Sequence, residues 1–337
     1  MIQPWLEQQY GIKAEEELSI GRYSACKRGD QLYLLIHPVK QDQEEIVELQ
    51  KITQHLAYTG DKTVPLFFPS KTGEIVSEWK NEKACVLACR SGMKRKTTSP
   101  LGRKLAKFHQ RGRTLSVPIN KMSRLGQWKQ IWEKRLDQME GVWSSKIYQY
   151  PENEFEKMFM ESFPYYMGLA ENAIQYLVDT EIDEKPTSVD HGTVCHERFS
   201  ESTWGEEAVF KNPFEWIMDH SSRDLAEWTR ERYFHNSQTY EPDVKQFFFD
   251  YQSRSKLSPF SWRLLYARMI FPLHYFECIE GYYVSSTEQT RHTLEDRLQK
   301  LLNHSSEYEQ FLAVFYQIVE APVRAYRIPE LDWLKRI

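Results

Sequence analysis

The sequence is short of several things, and each shortage removes a class of protein. Five cysteines occur in 337 residues, odd in number and scattered at positions 26, 85, 89, 195 and 278. That excludes a disulfide framework and points to reduced, buried thiols. No apolar run is long enough to span a bilayer, and no charged segment leads into an apolar one at the N-terminus. The expectation is a chain made and folded in a cytosol. Neither charge sign dominates: the net charge is −4, which argues against a dedicated nucleic-acid binder. No Gly-x-Gly-x-x-Gly phosphate loop is present; Gly21 and Gly29 are isolated. Cys85, Cys89, Cys195 and His196 match no zinc-knuckle spacing, so no metal site is expected.

Hydrophobic residues make up 41% and aromatics 14% of the chain, enough for a large core in two lobes. The first ninety residues read as a small β-rich lobe with one helix. Leu18-Ser19-Ile20, Leu32 to Ile36, Glu74 to Ser77 and Ala84 to Ala88 are strand-like, separated by Gly29-Asp30, Gly60-Asp61 and Thr72-Gly73 turns. Gln43 to Ala57 is helical, with Ile46, Leu49, Thr53 and Leu56 on one face. Arg90-Ser91-Gly92 is a hinge, giving expected lobes 1–92 and 93–337.

Beyond the hinge the pattern turns helical. Ser99 reads as an N-cap and Pro100 as the first helical residue. Gly126 to Glu140 and Phe155 to Val178 follow as amphipathic helices. From Arg90 to Arg113 there are nine basic residues and no acidic one. Arg103, Lys107 and Arg111 recur every four residues, on one helix face. This is a solvated face or a surface for an acidic partner at Arg90, Arg103, Lys107 and Arg111. Nucleic acid is not expected, because exposed aromatics are not interleaved.

The most informative segment is Asp190-His191-Gly192-Thr193-Val194-Cys195-His196-Glu197-Arg198. It resembles the catalytic loop of the aminoglycoside and choline phosphotransferases, which reads His-Gly-Asp followed five residues later by Asn. His191 and Gly192 are in place. Thr193 stands where that family has its base Asp, and Arg198 where it has its metal-binding Asn. A threonine hydroxyl cannot act as the base, and a guanidinium has no lone pair for Mg²⁺. Leu105-Ala106-Lys107-Phe108-His109 resembles a helix of the same superfamily. The strand Leu32 to Ile36 stands where that fold carries a phosphate-binding lysine paired with a helix glutamate. It has no lysine, only His37 and Lys40 beyond it, so Glu45 and Glu48 lack the expected partner. A strand at Ala208-Val209-Phe210 leads to Asn212, which by spacing matches a metal-binding Asp.

Met218-Asp219-His220-Ser221-Ser222-Arg223-Asp224-Leu225 is similar to an element of the CotS family of bacterial spore-coat proteins, as are Arg268 to Pro272 and Gly281-Tyr282-Tyr283. The chain is identified as a member of its endospore coat-associated branch. That resemblance implies an α+β, two-lobed, protein-kinase-like fold and association with the spore coat, with synthesis in the mother-cell cytoplasm and other coat proteins as partners. Asp224 is expected as a buried carboxylate paired with Arg223 or His191. The expected site is a degenerate catalytic loop (Asp190, His191, Thr193) and a degenerate cofactor cleft (Arg198, Asn212, Glu215, Asp219), with no metal and no cofactor. The functional expectation is a pseudokinase scaffold. The alternative is an atypical phosphotransferase using Asp190, Glu215 or Asp219 in shifted roles.

Overall fold

The computed structural model describes residues 2–90, 99–204 and 210–334. In chain order these form α1 (Gln3–Tyr10), β1 (Glu16–Ile20), β2 (Tyr23–Arg28), β3 (Gln31–Ile36), α2 (Gln43–Tyr58), β4 (Leu66–Phe68), β5 (Val76–Trp79), β6 (Glu82–Arg90), α3 (Leu101–Arg113), α4 (Trp128–Lys146), α5 (Glu154–Asp183), β7 (Thr193–His196) and β8 (Trp216–Asp219). Helices α6 (Ser222–His235), α7 (Tyr240–Gln252), α8 (Pro259–Ile270), α9 (Leu273–Val284), α10 (Glu288–Asn303), α11 (Ser305–Ile318) and α12 (Val323–Tyr326) complete the chain. It divides into two compact units: Met1–Arg124 with Gly192–Asp224 and Asp250–Ser255, and Leu125–His191 with Leu225–Phe249 and Lys256–Ile337.

The first unit holds a six-stranded antiparallel sheet in the order β1-β2-β3-β6-β4, with β5 also on β6. Strand β3 is buried from Leu32 to Ile36, which explains why it carries no charge. Tyr33 and Leu35 join Leu6, Tyr10 and Ile12 in a core under α1; by strand alternation Leu32, Leu34 and Ile36 face the other side. Helix α2 begins with a capping box, Asp42 accepting from the Glu45 N–H and Glu45 returning a bond to the Asp42 N–H. The β-rich region therefore has two helices, where the sequence led us to expect one. α1 was missed because its eight residues carry little amphipathic pattern. Helix α3 starts one residue later than expected: Pro100 is the N-cap, and no side chain caps the helix. Ser91 and Gly92 of the expected hinge, and Ala208-Val209 of the expected strand, lie outside the described residues; Phe210 is not in a strand.

The second unit is helical among its described residues. α5 packs on α4, α8 and α10, and stacked rings join it to α9: Phe155 on Tyr282 at 3.6 Å and Tyr166 on Tyr275 at 3.7 Å. Both helices that the sequence placed here run beyond the expected C-terminal ends, to Lys146 and Asp183.

Candidate functional site

The site residues of the first unit are organised by the β7–β8 ladder, which pairs Thr193 with Asp219 and His196 with Trp216. Helix α3 lies against β7. The Thr193 hydroxyl donates to the His109 carbonyl at 2.7 Å. A Cβ on Gly112 would meet Thr193 Oγ1 at 2.3 Å and the Val194 nitrogen at 2.6 Å, so only glycine permits this approach. Thr193 is therefore a buried packing residue at the start of a strand.

Asp224, wholly buried in the first turn of α6, is the centre of the polar network. Its Oδ1 accepts from the His196 backbone N–H at 2.8 Å; its Oδ2 meets His196 Nδ1 at 2.8 Å and His109 Nε2 at 3.1 Å. Burial alone would raise its pKa, but the two histidines hold it well below the usual carboxylate range. An ionised carboxylate only accepts, so both histidines donate to it. The Tyr251 hydroxyl, 2.9 Å from His109 Nδ1, then donates to a neutral imidazole. Burial keeps His109 neutral, pushing its pKa down to about 4 against the pull of Asp224. His196 Nε2 is buried with no partner among the described residues, enclosed by the rings of Phe108, Phe199 and Trp204. The sequence pointed to Arg223 or His191 as the partner of Asp224, but the structure gives Arg223 to Asp219 and supplies His109 and His196 as the histidines.

Strand β8 ends on Asp219. Its Oδ1 accepts from the His220 N–H at 2.7 Å, and its Oδ2 holds Arg223 Nη1 at 2.9 Å. Arg223 also donates to the His196 and Glu197 carbonyls, at 3.1 and 3.3 Å. Asp219 is wholly buried and Arg223 9% exposed. A guanidinium thus lies against the strand-ending carboxylate and compensates its charge.

Asn212 does not end a strand. It caps the turn Pro213–Glu215 and bridges the Tyr23 hydroxyl and Glu215 Oε1, both at 2.9 Å. Glu215 also meets Arg22 at 3.4 Å. Phe210 packs on Tyr23 and Phe214 on Phe67, so this segment covers one face of the sheet with its own side chains. Arg198 is exposed and donates to the Glu197 carbonyl at 3.0 Å. Glu48, on α2, faces no lysine: its carboxylate accepts from the backbone N–H groups of Asn120, Lys121 and Met122 at 2.8 to 3.1 Å.

In the second unit, Asp190 is buried and accepts from the Thr187 N–H and hydroxyl, both at 2.7 Å, and from the hydroxyls of Ser258 and Ser261. Ser258 caps α8, so Asp190 fastens that helix start. His191 is exposed.

Among the described residues, His109, Cys195 and Asp224 lie close enough together for a metal ion. Their protonation does not suit one. Burial, with Asp224 and Asp219 nearby, pushes the Cys195 thiol well up, and a protonated thiol is a poor ligand. The Asp224 oxygens already hold three donors. Cys85 and Cys89 lie on β6, their thiols pushed up to about 12 and about 11 by burial.

Residues 3–315 match the family model described as spore coat putative kinase YutH. The endospore coat-associated protein YutH of Bacillus subtilis (strain 168) is 39% identical over 335 residues, which is 99% of this chain and 98% of that protein. An aminoglycoside phosphotransferase from Alicyclobacillus acidocaldarius has a similar structure, with a TM-score of 0.67 at 15% identity over 95% of this chain and 97% of that one. Spectinomycin phosphotransferase APH(9)-Ia, solved with ADP and spectinomycin, gives 0.57 at 13% identity, covering 95% and 97%. These likenesses establish the protein-kinase-like, aminoglycoside-phosphotransferase-like fold that the motifs implied.

Proposed function

The chain belongs to the spore coat putative kinase YutH family, and from that premise we propose that it is a kinase-shaped binding protein of the endospore coat that transfers no phosphate. The observation that carries this reading is the Arg223–Asp219 pair. Phosphoryl transfer requires a carboxylate free to hold Mg²⁺ against the phosphates. Asp219 is buried and already neutralised by a side chain of the same chain.

The other catalytic parts agree. Asp224 holds the backbone N–H and ring of His196, which favours His196, not His191, as the histidine of the degenerate loop. The base position then falls on Arg198 and the metal-binding Asn on Thr203. With His191 as the loop histidine they fall on Thr193 and Arg198. Neither alignment supplies a carboxylate. Strand β3 has no lysine, and Glu48 is committed to three backbone amides. Losses at several parts that act as a unit remove the activity, whatever each contributes alone.

On this reading the protein is made in the mother cell, joins the coat and binds other coat proteins. The test is calorimetric titration with ATP, with and without Mg²⁺. ATP binding strengthened by Mg²⁺, with turnover lost in Asp219→Ala, would overturn the reading in favour of an atypical phosphotransferase. A fluorescent fusion that failed to reach the coat of sporulating cells would overturn the coat assignment.

A further inference from the structure

One face of α3, opposite the face packed on β7, borders a recess of about 370 Å³ inside the first unit. Among the described residues, its lining carries six basic side chains, Arg103, Lys104, Lys107, Arg111, Lys211 and Arg254, and one acidic side chain, Asp61. None of the residues of the degenerate site lies in it.

The floor is the informative part. The Asp61 carboxylate meets Lys211 Nζ at 2.7 Å and Arg111 Nη1 at 3.0 Å, so one anion is shared by two cations. Lys211 is 8% exposed and Arg111 16% exposed in their side chains. The Lys211 ammonium also lies over the rings of Trp204 and Phe108, 4.2 and 4.6 Å from their centroids. Such contacts fix a cation without cancelling its charge. Cations are therefore held in fixed positions where water is scarce, and Coulomb attraction is strongest there. At the mouth, Arg103 is matched by Asp250 at 2.8 Å, while Lys107 and Arg254 are exposed with no ion-pair partner among the described residues. Paired cations line the floor, and Lys107 and Arg254 stand exposed at the entrance, an arrangement that favours entry and retention of an anion.

We propose that this recess binds a compact small-molecule polyanion carrying two or more phosphate or carboxylate groups. The volume is in the range of small-ligand pockets, and the cations surround one cavity instead of tracking a strip. A peptide or nucleic-acid strand would need the strip. The site is separate from Asp219 and does not depend on whether the protein transfers phosphate.

The experiment is calorimetric titration of the full chain with tripolyphosphate, pyrophosphate and citrate at about 50 and about 300 mM salt. The expected result is binding that weakens at least about tenfold at the higher salt. The Lys107→Glu/Arg254→Glu double variant changes only exposed side chains. It should lose at least about tenfold in affinity, the change given by a lost binding free energy of about 1.4 kcal/mol, with an unchanged Tm. Lys211→Met should lose binding too. Preference for phosphates over citrate, or the reverse, identifies the source of the oxyanion. No heat with any of the three, equal affinity in the double variant, or tighter binding of a polyglutamate peptide would each overturn the proposal. ATP binding that disappears in the double variant and weakens with Mg²⁺ belongs to this recess. ATP binding that persists in that variant and strengthens with Mg²⁺ counts against the inactive-kinase reading instead.

Discussion

Arg223 and Asp219, four residues apart, face each other across 2.9 Å with side chains 10% and 1% exposed. Breaking a buried pair from one side leaves the other charge uncompensated, at a cost of roughly 3–5 kcal/mol. Arg223→Met should destabilise the protein by about that amount in urea denaturation. Mg²⁺ should leave the wild-type Tm unchanged.

Asp224 receives three donors at once. Asp224→Asn keeps the shape but turns one oxygen into an NH₂ group that must face a histidine donor. A loss of roughly 3 kcal/mol or more is expected. Urea midpoints compared with Asp190→Asn, whose donors are mainly hydroxyls able to rotate, should show Asp224 as the costlier change.

Acid should weaken the fold in two stages. His109 is neutral when folded, its pKa about 4, against an ordinary value near 6.5. As pH falls between those values the unfolded chain takes up a proton that the folded chain refuses, so stability drops. Asp61 follows. Burial raises its pKa, yet Lys211 brings it down to about 2. Its contribution is full above about 4 and fades as pH falls toward 2. Urea midpoints from pH 7 to pH 3 should fall throughout, and His109→Gln should flatten the part above pH 4.

Gly112→Ala drives a methyl group into Thr193 Oγ1 and the Val194 backbone. Neither can retreat, since Thr193 is bonded to α3 and Val194 lies in the ladder. A loss of about 3 kcal/mol is expected, read as a lowered Tm. Gly141→Ala, in open space on α4, should leave Tm unchanged or slightly raised.

Glu48→Gln replaces a doubly accepting carboxylate with a group that presents NH₂ to the amides of residues 120–122. The expected loss is about 2 kcal/mol. A role for Glu48 in nucleotide binding would instead change ATP affinity at unchanged stability.

Much of the architecture was legible because periodicity reports burial. β3, β6 and α2 announce themselves through apolar runs and helical spacing. The short elements β2 and β4 were not legible, since three to six residues carry too little pattern. The family motifs gave the fold. They did not give the network, because hydrogen bonds such as His109–Asp224 join residues 115 positions apart, and spacing says nothing about them. Asn212 was matched to a strand end by counting back from Arg223-Asp224, but the strand ends at Asp219 because Trp216 to Asp219 are the residues that pair with β7. Glu48 looked like a solvated or unpaired carboxylate, since no sequence signal marks three backbone amides as its partners.

Arg223 has three acceptors, the Asp219 carboxylate and the carbonyls of residues 196 and 197. Any single replacement of Arg223 that uncovers Asp219 also takes a donor from the buried His196 carbonyl. A lineage moving toward a free carboxylate at this position would have to pass through a poorly folded intermediate before any benefit could be selected. The Arg223–Asp219 pair acts as an evolutionary ratchet, hard to leave once formed.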